Sequence, residues 1–170
     1  MMAHDMSLRH RDADLSHDRD LLLDYHCHTD YVSESPLETL PEYADYRAAW
    51  LESPQPEEYL SALRQTVQDP RGLVKLLLDE DNTPIGYFWV TFTDVPSYNF
   101  AFAEIQDLYV VEGQRRTGLG SAVLAYVEVK VKEAGVRVLR SGTGAGNTAS
   151  IRLHEKGGFR MYRYEFEKRI

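Results

Sequence analysis

The sequence predicts an α/β (α+β) fold, a mixed, mostly antiparallel twisted sheet of about six to seven strands flanked by helices. Three observations predict it. Residues 1–70 carry helical periodicity broken by prolines; from Gly72 three strand-like runs follow one another through short turns; and a Gly-rich turn then feeds an amphipathic helix.

Taken in order, residues 1 to about 15 read as a short strand or loose arm, and LSHDRDLLLDYHCHTDYVSES as a helix ending before Pro36. PLETLPEYADYRAAWLES and PEEYLSALRQTVQD, punctuated by prolines at 36, 41, 54 and 56, read as one or two helices, the second presenting Tyr59, Leu60, Leu63 and Val67 on one face. GLVKLLLDE, IGYFWVTFT and FAFAEIQDLYVV, joined at EDNTP and DVPSYN, form an antiparallel meander. After GQRRTGLG, Leu119, Val123, Leu124, Val127 and Val131 recur at spacings of three and four, which marks a helix ending near Gly135. VRVLRSGT is a strand, NTASIRLHEKGG a short helix with Asn147 as its N-cap candidate, and FRMYRYEFEKR a final strand.

Composition bounds the function. A chain of 170 residues with 43% hydrophobic and 27% charged residues is expected to form one domain, 1–170, able to bury a core without disulfides. The apolar runs are only a few residues long and the N-terminus is polar, so neither a membrane span nor a secretory signal is expected, and the cytoplasm is the expected compartment. Cys27 is the sole cysteine. The net charge of -8 argues against nucleic acid as a partner, and it is unevenly spread: residues 1–70 hold 15 acidic against 5 basic residues, the remainder 12 against 14. In D24-Y-H-C-H-T-D30, His26 and His28 lie about 200° apart on a helix, so they cannot share an ion, and no metal is expected.

GQRRTGLG, residues 113–120, sits where a strand enters a helix, which leaves several N–H groups unpaired beside the positive end of the helix dipole. An anion is expected there. A Walker loop needs a lysine after its second glycine, and none is present; a dinucleotide fingerprint needs a third glycine where Val123 stands. What remains is R-x-x-G-x-G, with Arg115, Gly118 and Gly120. A pyrophosphate suits it, since N–H groups from about Arg116 through Thr117, Gly118, Leu119 and Gly120 to Ser121 are free to donate, the glycines let the backbone come close, and Arg115 and Arg116 add charge.

This stretch resembles the acyl-CoA pyrophosphate loop of the GCN5-related N-acetyltransferase (GNAT) superfamily. A second stretch, Asn147 to Phe159, is similar to that family's Asn-led helix closing in L-Y-x-K-x-G-F, with Leu153, Lys156, Gly158 and Phe159 in register. The resemblance covers roughly residues 72–165 and implies acetyl-CoA as co-substrate, an amine acceptor, and residues 1–70 on the acceptor side. It further implies that pantetheine inserts as a pseudo-strand, with the thioester carbonyl meeting backbone N–H groups near Leu108, Tyr109 and Val110, while Asn147 and Lys156 join the coenzyme side. Asn147 either holds pantetheine or caps its own helix, and the two roles are compatible.

Acetyl transfer to an amine needs a proton acceptor, because an alkylamine with a pKa of about 10.4 is almost entirely ammonium at neutral pH. Glu104, in a context that resembles the strand bearing the catalytic glutamate of histone acetyltransferases, is the candidate base. Asp107 falls on the opposite strand face by period-two counting and is the weaker one. For the leaving thiolate the family supplies a tyrosine after the residue matching Leu153. Here His154 stands in that place, either as the acid or only as packing against pantetheine, with Tyr162 and Tyr164 as substitutes if they face inward. The acidic excess of residues 1–70 predicts a cationic acceptor. A chain that binds acyl-CoA without catalysis, as a sensor or interaction module, is the alternative.

Overall fold

The computed structural model describes residues 8–34 and 39–170. Its elements in chain order are β1 (His10–Asp12), α1 (Arg19–Ser33), α2 (Tyr43–Glu52), α3 (Gln55–Gln68), β2 (Leu73–Leu78), β3 (Pro84–Val95), β4 (Phe100–Val110), α4 (Leu119–Glu133), β5 (Leu139–Ser141) and α5 (Thr148–Lys156). Among the described residues five strands form one sheet in the order β1-β2-β3-β4-β5, with every neighbouring pair antiparallel except the parallel pair β4–β5. The segment after Pro36 therefore forms two helices, α2 and α3, and the reading of residues 36–38 lies outside the described residues, as does that of residues 1–7.

Helices cover both faces, which is why IGYFWV reads as a continuous apolar run rather than an alternating one. Tyr87 and Trp89 join Leu22, Leu63 and Leu76 in the core under α1–α3, whereas Phe88 and Val90 join Ala103, Val123 and Val127 in the core under α4. The apolar stripe expected of α4 is buried throughout, and Gly135, with φ of 72°, follows its end.

Three expectations are corrected. In α3 the buried positions are Pro56, Tyr59, Leu60, Leu63 and Thr66; Val67 is half exposed, and Thr66 takes its place because its hydroxyl accepts the indole N–H of Trp89 at 2.8 Å. The run VRVLRSGT contributes only Leu139–Ser141 to the sheet, and FRMYRYEFEKR forms no strand, so the count among the described residues is five rather than six to seven. A three-residue β5 offers too short an edge to template that last ladder, and Tyr162 instead packs over Arg140. The third correction concerns Asp107. Trp89 pairs with Asp107 but Val90 pairs with Ile105, so Gln106 is an extra residue in β4. This β-bulge resets the alternation: Asp107 opposite Trp89 and Glu104 opposite Thr91 share the α1–α3 face.

Candidate functional site

The pairing of β4 with β5 runs from Ala103↔Leu139 to Ile105↔Ser141, yet β4 continues to Val110. Beyond Ile105 its outer edge has no strand beside it among the described residues. Val111 N–H donates toward β3, to Ile85 O at 3.0 Å, so by strand alternation the N–H and C=O groups of Leu108 and Val110 face that free edge, while those of Tyr109 face β3. Arg115 confirms the direction, because its Nε reaches the Val110 carbonyl at 2.9 Å.

From the end of this edge the chain makes a short 3-10 turn, Glu112–Gln114, and enters α4 at Leu119. Gln114 N–H and Arg115 N–H are used inside that turn, and Ala122 N–H is the first to find a helical carbonyl, Gly118 O at 3.0 Å. Between them, no described residue accepts from the backbone N–H groups of Arg116, Thr117, Gly118, Leu119, Gly120 and Ser121. Gly118 has φ of 93°, and Arg116 is itself left-handed at 64°, which turns successive amides to one side of the loop. The Thr117 hydroxyl fixes the turn by donating to Gln114 O at 2.8 Å. Arg116 extends into solvent, whereas Arg115 folds back along β4 over the Tyr109 ring, so its guanidinium sits at the strand edge rather than over the loop. A Cβ on Gly120 would lie 3.0 Å from Leu153, so the absence of a side chain there brings α5 against the start of α4. Ser121 and Lys156 line one groove between these two helices, with Leu124, Leu139 and Phe159.

His154 lies where β4 and β5 part. Its Nδ1 is 2.7 Å from the Ser150 carbonyl, which can only accept, so Nδ1 carries a proton. Its Nε2 is 2.7 Å from Ser141 Oγ, at the last paired residue of β5. Ser141 is thus the partner of His154, a contact that sequence reasoning missed; nothing in VRVLRSGT distinguishes it until the fold brings α5 over it. Asn147 caps α5 by accepting from Ser150 N–H at 3.2 Å. Tyr162 is 61% exposed and stacks on Arg140, and Tyr164 is 71% exposed, so neither faces inward.

On the α1–α3 face, Glu104 is half-buried and receives the Gln106 amide at 3.2 Å, an amide that also reaches Thr91 Oγ1 at 2.9 Å. One bulge further on, Asp107 is buried and accepts from the Tyr87 hydroxyl and from His26 at 2.5 Å. The His26 ring lies flat on Tyr59, 3.9 Å between centroids, and its Nε2 is 3.6 Å from Asp30, whose carboxylate also accepts the Trp50 indole N–H at 3.0 Å. Burial works against charge on His26, but the Asp107 hydrogen bond and the two nearby carboxylates outweigh it, raising the imidazole above its ordinary value. The same burial raises Asp30. Among the described residues no group of three His, Cys, Asp or Glu side chains is placed to hold a metal ion, and no helix is long and apolar enough to cross a membrane.

The acetyltransferase (GNAT) family model matches residues 37–159, a stretch that includes the open edge of β4 and the loop of unpaired amides. The chain belongs to the GNAT acetyltransferase family. Solved structures agree in fold. A mutant of the BH1408 protein from Bacillus halodurans superimposes with a TM-score of 0.72 at 17% identity, covering 96% of this chain and 99% of that one. The aminoglycoside antibiotic 6'-N-acetyltransferase from Acinetobacter baumannii gives 0.63 at 16% identity over 96% and 99% of the two chains. An acetyltransferase from Trypanosoma brucei gives 0.62 at 16% identity over 96% and 100%. At such identities the likeness concerns the GNAT fold alone. No curated protein matches the chain.

Proposed function

We propose that this GNAT protein transfers the acetyl group of acetyl-CoA to a primary amine by direct attack in a ternary complex. The observation that carries the reading is the row of unpaired amides from Arg116 to Ser121 at the positive end of α4, which suits a diphosphate. The free edge of β4 then accepts pantetheine, with Arg115 leaving the Val110 carbonyl to make room, and N–H groups of Leu108 and Val110 facing the thioester oxygen. Asn147 and Lys156 border the same coenzyme on the α5 side.

Glu104 accepts the proton of the attacking amine nitrogen as the N–C bond forms and the C–S bond breaks. His154, when protonated at Nε2, passes that proton to Ser141 Oγ, and the Ser141 hydroxyl gives its own to the departing sulfur. The two proton transfers balance: one leaves the nitrogen, one reaches the thiol. Arrangement through Ser141 explains how a histidine with both nitrogens engaged still serves as an acid.

That engagement is also what favours the second reading, an acyl-CoA-binding sensor in which His154 only packs. Incubation with acetyl-CoA and a broad amine panel, with detection of free thiol, separates the two. Amine-dependent thiol release is expected; coenzyme binding with no release above hydrolysis across the panel would leave the sensor.

A substitution tests the loop independently. Gly118→Val places a β-branched residue at φ of 93° and turns the amides away. With charge-assisted hydrogen bonds worth about 1.5–3 kcal/mol each, losing one or two weakens coenzyme A by between about 10-fold and about 10⁴-fold, read by calorimetry. Equal affinity for both proteins would count against this placement.

A further inference from the structure

We infer that Arg140 is the anchor for an anionic group of the acceptor, so that the substrate is an amine bearing a carboxylate a few bonds away, as in an amino acid. The inference rests on the transferase reading above and names its substrate class.

Arg140 is the register partner of Glu104 across the parallel β4–β5 pair, so the two side chains leave adjacent strands on the same face, about 5 Å apart at the backbone. Its guanidinium is held by rings: 4.0 Å from the centre of Phe102, 5.6 Å from Phe100 and 5.2 Å from Tyr162. Cation–π contact fixes the plane but uses none of the N–H donors. Among the described residues the Arg140 guanidinium makes no hydrogen bond and no ion pair, whereas Arg11, Arg47, Arg64 and Arg71 each face a carboxylate. Arg9, Arg115, Arg116, Arg137, Arg152 and Arg160, which also face no carboxylate among the described residues, are exposed, whereas Arg140 is half-buried. A planar fork, pre-oriented beside the candidate base with its donors unspent, matches a carboxylate.

Of the acidic residues in 1–70 whose excess suggests a cationic acceptor in sequence, three along and just after α1 are spent internally. Asp24 pairs with Arg47, Asp30 with Trp50 and His26, and Glu34 accepts from Tyr46. A purely cationic acceptor would meet Arg140 as a like charge; a zwitterion places its amine at Glu104 and its carboxylate at Arg140. The neighbouring Phe100 and Phe102 suit an apolar or aromatic body.

The test uses phenylalanine, phenylalaninamide and phenylethylamine as acceptors with acetyl-CoA, alongside alkyl diamines. In the native protein kcat/KM is expected to fall at least about tenfold when the carboxylate is replaced by the amide or removed. In Arg140→Gln that discrimination collapses toward unity, chiefly through KM for phenylalanine, and Arg140→Lys restores part of it; thermal melting verifies that both variants fold. Preference for the amide or the diamines, or an equal change for all acceptors in Arg140→Gln, overturns the inference while leaving the transferase reading intact. If no amine releases thiol, the transferase reading has failed, and binding of phenylalanine to the coenzyme-loaded protein by NMR decides Arg140: binding that Arg140→Gln abolishes supports the anchor, and no binding refutes it.

Discussion

In Glu104→Gln, turnover at saturating acetyl-CoA and amine is expected to fall by about 10²–10⁴-fold, the usual contribution of a positioned general base. The substitution is isosteric, so packing against Thr91 and Gln106 persists and only the proton-accepting oxygen is lost. Coenzyme A affinity, measured by calorimetry, should stay within about twofold, because the diphosphate loop and the free edge of β4 are untouched. Unchanged turnover would take the base assignment from Glu104.

His26→Phe is expected to destabilise the fold by about 3–5 kcal/mol, since it leaves the Asp107 carboxylate in the core without its charged partner. The ring contact with Tyr59 survives in the variant, so the loss reports the hydrogen-bonded pair rather than the stack. For a chain of this size the melting temperature should drop by roughly 10 °C, and adding Asp107→Asn should recover part of it. The pH dependence has a definite sign. His26 is raised in the folded state, so its contribution is complete below the unfolded histidine value of about 6.5 and fades as pH rises through the folded value. Denaturant midpoints of the native protein and His26→Phe should therefore converge toward alkaline pH. The raised Asp30 carboxyl contributes in the carboxylate range, below that window. A constant gap across pH, or no gap at all, would contradict an ion pair at this place.

Those two residues also mark how far the sequence could be read. Local signals were strong where one element speaks for itself: the stripe Leu119 to Val131 lies buried, Asn147 caps α5, and the glycine pair of the loop leaves its amides free. Asp107 escaped because a bulge is invisible to period-two counting; the single extra residue at Gln106 moves everything after it to the other face. His26 and Ser141 escaped for another reason. Each gains its role from a partner 81 or 13 positions away, through α1 meeting β4 and α5 meeting β5. The C-terminal run alternates like a strand, yet a ladder needs a partner edge, and β5 supplies only three residues. A charge count has the same blind spot, since it does not see that Asp24 is already paired with Arg47 or that Asp30 is held by Trp50.

Everything proposed for this protein follows from a diphosphate resting on the amides that open α4, and backbone NMR during titration with coenzyme A observes those amides directly. The largest shifts are expected at residues 116–121, saturating with one equivalent of ligand and much reduced when pantetheine, which lacks the diphosphate, replaces coenzyme A. Resonances of 116–121 that stay fixed at saturation while another surface responds, or a spectrum that does not change at all, would contradict the account.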